Sequence, residues 1–310
     1  MDDIDLGDYK VTSEVHIFSE GTQAEKKFSS EEGADETIVV SNFKFTLPGK
    51  YEVSEDVDGA IAGNQQVDQY DEDGDLVVHR KNEKQDHHLA IKHHVNTSLD
   101  LVGLQVWRGA LLLADFLLYS STDEATSLKI SLSDSIVELG AGTGLTSIVA
   151  GMVAGDVIST DITKGNILNL IDTNIKKNCQ WIKGKVEVQE LDFYKSNYSE
   201  DLVSRLEQSS LIIAADVVYH DDLTDAFLSS LKRIMSMGRE KSALISLEKR
   251  YVFTINDLDV AAPCYEYFYD QLVKELQGTF NIKQLDTSLI PQYFCYERAK
   301  ELVLFLINKN

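Results

Sequence analysis

The feature that most limits how this chain can fold is a glycine-rich turn, Glu138-Leu139-Gly140-Ala141-Gly142-Thr143-Gly144. A short apolar run, Ser135 to Leu139, enters it as a strand, and Leu145 to Val153 leaves it as a helix. More short apolar runs follow: Val157 to Thr160 ending at Asp161, Val186 to Glu190, Leu211 to Ala215 and Ala243 to Leu247. Helix-like stretches separate them. Apolar strands alternating with helices predict a parallel sheet covered on both faces. Upstream, Val106, Ala110, Leu113, Ala114 and Leu117 recur with helical spacing. Phe280 to Leu285 and Leu302 to Ile307 predict a terminal antiparallel pair at one edge.

The first third reads differently. Residues 1–75 hold 20 acidic and 5 basic side chains, so they carry −15 of the net −22, and the other 235 residues only −7. Residues 1–35 are polar, acidic and expected to lack structure. Residues 36–97 read as a small β-rich extension with an acidic loop. Ile38 to Val40 and Phe43 to Phe45 are strand material. Leu76 to His79 and His88 to Lys92 look like a hairpin. The sheet of helices and strands then occupies 98–310. No apolar run reaches the ~20 residues that span a bilayer, and the start, Met1-Asp2-Asp3, lacks a signal-peptide pattern. A soluble intracellular chain is expected, cytosolic or nuclear, monomeric and without membrane contact. Its acidity opposes direct nucleic-acid binding.

The chemistry at the turn is specific. Glycines there let a ligand approach the backbone. The spacing is G-x-G-x-G, and Leu145 stands where the dinucleotide pattern has its third glycine. A carboxylate at Glu138 would repel a pyrophosphate but suits the cationic methionine end of S-adenosylmethionine. Asp161, 19 residues after Gly142, can accept both ribose hydroxyls. Leu191-Asp192-Phe193 follows the third strand. Asp192 can accept from an adenine amine, and Phe193 can cover a ring face.

Three further pieces are Val102 to Ala110, the Asp216-Val217-Val218-Tyr219 end of the fourth strand, and Asn174-Ile175-Lys176-Lys177-Asn178. With the glycine turn they make the chain resemble the family-16 protein methyltransferases, which mostly methylate lysine, over about residues 88–310. The resemblance implies an α/β, Rossmann-like seven-strand methyltransferase sheet with helices on both faces. It implies that Glu138, Gly140, Gly142 and Gly144 hold the methionine part of S-adenosylmethionine and Asp161 its ribose. Asp192 and Phe193 would bracket the adenine, with Trp107 over the pocket. Asp216 and Tyr219 would line the mouth where the lysine of a protein substrate enters. Thus Asp216 and Tyr219 are the candidate catalytic residues, the others bind cofactor, and no metal is expected.

A free lysine must lose its proton to react, which near pH 7.4 costs about 4 kcal/mol. Asp216 would stabilise the ammonium, so it is assigned to orienting the lysine, and the proton to water. Other readings stay open: a non-catalytic scaffold, a methyltransferase on RNA or a small molecule, and, disfavoured by glycine spacing, a dehydrogenase. His87, His88, His93 and His94 read as solvated strand histidines, because partners on one face lie too far apart for one metal. Glu248-Lys249-Arg250 ends the fifth strand, where it could help form a substrate rim, but reads as solvated charge at a strand end. Trp181 reads as packing, and Cys179, Cys264 and Cys295 as reduced, mostly buried thiols.

Overall fold

A computed structural model describes residues 10–17, 38–49, 86–254 and 259–310. In chain order the strands are β1 (Lys10–Thr12), β2 (Ile38–Phe45), β3 (His87–His94), β4 (Asn96–Ser98), β5 (Ser135–Leu139), β6 (Asp156–Asp161), β7 (Lys185–Glu190), β8 (Leu211–Ala215), β9 (Ser242–Glu248), β10 (Val252–Thr254), β11 (Asp259–Ala261), β12 (Phe280–Leu285) and β13 (Leu302–Lys309). The helices are α1 (Glu14–Ile17), α2 (Arg108–Ser120), α3 (Leu145–Val153), α4 (Ile167–Lys177), α5 (Glu200–Gln208), α6 (Asp221–Met235) and α7 (Pro263–Leu276).

Seven strands form one sheet in the order β12-β13-β9-β8-β5-β6-β7. The five from β9 to β7 are parallel, and β13 enters antiparallel between β9 and β12. Each apolar strand alternates its side chains between two cores. On β8, Leu211 and Ile213 face α2 and α3, while Ile212 and Ala214 face α6 and α7. The chain runs outward from β5 to β7 and then returns to lay β8 on the other side of β5. That reversal opens a crevice at the carboxyl ends of the strands.

α2 is apolar around most of its circumference, with Leu111 to Leu118 all buried. A helix of this kind needs cover on every side. It lies against α3 and crosses β8, β9 and β13, and the β2–β3 hairpin shares its core through Phe43, Phe45, Leu89 and Ile91. The stretch Leu99–Ser120 is long and apolar enough to cross a membrane by composition alone, yet 72% of it is buried in this core. Its extended residues Gln105 and Trp107 break the helix. Asp115, 0% exposed within α2, accepts from the backbone N–H groups of Tyr293 and Phe294 at 2.8 Å each and pairs with Arg298. Phe294 in turn stacks on Phe45 with ring centroids 5.1 Å apart.

Two asparagines join the hairpin to the rest. Asn174, 0% exposed, accepts from Lys92 N–H at 2.8 Å and donates to the carbonyls of Lys92 and Thr143 at 2.9 and 2.8 Å. Asn178 makes the same paired contact with the backbone of Ala90. These amides give the edge of β3 the partners that a further strand would supply.

Several expectations need correction. β3 pairs along its whole length with β2, and Leu76 to His79, expected as its hairpin partner, lie outside the described residues. Within 1–35, Lys10–Thr12 pairs with β4 and Glu14–Ile17 is helical. His93 is not solvated. It shares the inward face of β3 with Leu89 and Ile91, is 0% exposed and sits 2.7 Å from the Ser41 hydroxyl. Burial lowers it to about 4. The cysteines are not mostly buried: Cys179 and Cys295 are exposed, one just beyond the end of α4 and the other on the loop before β13.

Replacing Asn174 by Ala strips Lys92 and Thr143 of buried partners, each worth about 1–3 kcal/mol when left unmet. Urea denaturation is expected to place Asn174→Ala about 2–4 kcal/mol below wild type. A loss under 1 kcal/mol would mean the hairpin is not anchored there.

Candidate functional site

The crevice holds a cavity of about 390 Å³, within the range of small-molecule sites. Trp107, Glu138, Gly140, Gly142, Asp161, Asp192, Phe193, Asp216 and Tyr219 all line it. Gly144 lies outside the lining. It takes φ +79° to start α3, and a side chain there would strike Ile171.

The floor is the glycine turn. Gly142 has φ +58°, and a Cβ on it would come within 2.8 Å of the Gly103 carbonyl oxygen. Its N–H donates to Asp161 Oδ2 at 2.8 Å, and Ile162 N–H donates to Oδ1 at 2.7 Å. The carboxylate at the end of β6 is therefore fixed in place with lone pairs to spare. Burial raises Asp161 to about 6, against the pull of those two N–H groups. Glu138, 1% exposed, accepts from the Ser147 hydroxyl. Burial drives it up to about 8, with the Ser147 and Thr146 hydrogen bonds opposing.

At the β7 end, Asp192 Oδ1 accepts from Tyr194 N–H at 3.0 Å. The ring of Phe193 meets Phe227 edge-on at 5.4 Å and lies beside Gly140. The roof is the segment from Leu99 to Trp107. Gln105 anchors it through its side-chain amide, which takes Ser13 N–H at 2.8 Å and donates to Val11 O and Thr97 Oγ1 at 2.9 and 2.8 Å. The N-terminal segment thus holds the cavity roof, a role that a polar, acidic stretch gave no sign of.

The other end is built around Asp216, whose φ of +52° is unusual for a side chain with a Cβ. Its carboxylate is 3% exposed. It accepts from Gly109 N–H at 2.7 Å and from Glu248 N–H at 3.1 Å. Gly109 has to be glycine, since a Cβ would overlap that carboxylate. Burial raises Asp216, and Arg250 opposes this most strongly. Tyr219 is raised to about 12 by burial and by the charge of Asp161. Glu248 and Arg250 are not the free solvated charges expected. Glu248 is gripped at both oxygens by Arg108, at 2.9 and 2.5 Å. Arg250 stacks 4.3 Å over the Trp107 ring, and Trp107 Nε1 donates to Val102 O at 2.9 Å. The signal missed was that β9 ends beside β8, which brings Glu248 and Arg250 next to Asp216.

A seven-strand sheet with this order, a glycine turn after its first parallel strand and acids at its strand ends is a Rossmann-like methyltransferase fold. Residues 83–259 match the family model described as lysine methyltransferase, and the chain belongs to that family. It is 35% identical over 257 residues to methyltransferase-like protein 22 of Mus musculus, covering 76% of this chain and 63% of that protein. The human protein of that name is 35% identical over 239 residues, covering 71% and 57%. A protein-lysine N-methyltransferase of Saccharomyces cerevisiae is 26% identical over 161 residues, covering 49% and 46%. The chain therefore spans about six tenths of the first two relatives' length.

The buried acids fix a direction of pH dependence. Glu138 and Asp161 have folded values above their unfolded ones near 4.3 and 3.9. The folded state then binds more protons, and their contribution is complete below about pH 4 and lost as pH rises toward 8. Ligand-free protein is expected to lose stability between pH 5 and pH 8 in urea denaturation, with a shallower loss in Glu138→Gln. Equal slopes in the two proteins would show that Glu138 is ionised in the folded state throughout.

Proposed function

We propose that the protein moves the methyl group of S-adenosylmethionine to the side-chain amine of a lysine in a protein substrate. The observation that carries this reading is one cavity lined together by the glycine turn with its acids and by Asp216, Trp107 and Tyr219. The donor set fits the cofactor. Glu138 is a buried acid with no cation bonded to it among the described residues, suited to an ammonium. Asp161 has spare lone pairs for hydroxyls, Asp192 Oδ2, 3.8 Å from Lys195 Nζ, keeps lone pairs for an amine, and Phe193 offers an apolar ring face.

When bound, the cofactor supplies a methyl group already activated by its sulfonium, so the protein's task is placement. Glu138 and the turn from Gly140 to Gly142 hold the methionine end, and Asp161 the ribose. Trp107 and Tyr219 wall the mouth and exclude water around the lysine stem. Asp216, fixed by two backbone N–H groups, orients the amine without removing its proton, which leaves to water first. An amine placed there as a free base would accept the methyl group that the cofactor supplies. The net charge of −22 favours a basic protein partner over nucleic acid. The chain works as a monomer inside the cell, in cytosol or nucleus.

The test is transfer from tritiated S-adenosylmethionine into cell extract, followed by mass spectrometry. Wild type is expected to leave methyl-lysine on a discrete protein, and Asp161→Ala to reduce this by at least about tenfold through lost hydroxyl bonds. Label found in RNA, or none in any fraction, would contradict the reading.

A further inference from the structure

Building on lysine methylation at this site, we infer that Arg250 is a positioning residue that balances the charge of Asp216, so that the mouth does not trap the acceptor as an ammonium. The two backbone donors on Asp216 leave it no freedom to swing away. A lone carboxylate held at that depth would bind the charged form of lysine and keep its proton on.

A cation stands beside it. Arg250 Nη2 lies 3.8 Å from Asp216 Oδ1, within ion-pair range but beyond a hydrogen bond. The guanidinium rests on the Trp107 ring. Its Nε and Nη2 are buried without a hydrogen-bond partner among the described residues. Arg250 is thus held by a ring face and by charge. Among the described residues, the neighbouring cations at this end are committed elsewhere. Arg108 is committed to Glu248 and reaches Glu297 at 3.5 Å. Lys249 lies over the Tyr265 ring at 4.3 Å. The remaining charges acting on Asp216 and Glu248 include Glu14 from α1, which adds to the negative side. On the cavity side, Tyr219 and Asp161 bring no positive charge. A guanidinium stays protonated across the working range, so the positive member of the pair is constant and only Asp216 titrates.

The test uses n-butylammonium, the lysine side chain without its backbone, titrated by NMR into the full chain. Arg250→Gln is expected to bind it about tenfold tighter than wild type, as one unopposed partly buried charge warrants. Arg250→Lys is expected to match wild type, and Arg250→Gln with Asp216→Asn to lose the gain. Arg250→Met, which keeps the apolar stem on Trp107, serves if the Gln variant does not fold. Equal affinity in wild type and in the charge-removed variant would overturn the inference, as would a gain that survives Asp216→Asn. The outcome is separable from the methylation reading: S-adenosylmethionine binding, measured on the same samples, can fail while the butylammonium order holds.

Discussion

Three elements meet on the backbone between Gly140 and Thr143, and the arrangement of the crevice depends on that meeting. Asp161 at the end of β6 takes the Gly142 N–H. The Gly103 carbonyl of the roof lies where a Gly142 side chain would go. Asn174 from α4 takes the Thr143 carbonyl. A left-handed turn at Gly142 is unstrained only without a Cβ. Once it forms, it fixes the end of β5, the height of the roof and the N-terminus of α3 together. The floor is thus set by backbone contacts, which change less than side-chain rotamers when a ligand arrives.

Charge is handled differently at the two ends of the cavity. At the glycine turn the acids stand without cations, and burial lifts Glu138 and Asp161 well above their usual range. Such a site gains most from a positively charged ligand. At the mouth the two strand-end acids have partners: Glu248 the Arg108 fork, Asp216 two N–H groups and a nearby guanidinium. Removing one member of such a pair leaves a buried charge alone, at about 3–5 kcal/mol. Exposed pairs such as Lys176 with Asp172 are worth only about 0.2–1 kcal/mol each. Specificity therefore rests on a few enclosed groups, even though residues 1–75 carry most of the net acidity.

The central sheet was legible because its inner strands are apolar on both faces and its strands are bounded by helices and turns. β5, β8 and β12 start and end where their apolar runs do. Glu138, Asp161 and Asp192 were legible because the fold places strand-end acids in one crevice. What escaped the sequence came from long-range partners. His93 looked like surface until β2 covered it, and Gln105 carries no local mark of holding Val11 and Ser13. Asp216 was read as lining the mouth, but nothing local showed that the backbone N–H groups of Gly109 and Glu248, 107 and 32 residues away in sequence, would hold its oxygens. The β10–β11 ribbon was missed because three-residue strands carry too little pattern to read.

The claim on which everything else rests is that this crevice is built for a sulfonium nucleoside and not for a dinucleotide. Calorimetric titration of the purified protein with S-adenosylmethionine, beside NAD and beside Asp161→Ala, tests it most directly. The account predicts saturable one-to-one binding of S-adenosylmethionine, strong weakening in Asp161→Ala, and no heat from NAD. Binding of NAD, or no binding of S-adenosylmethionine at millimolar concentration, would contradict it.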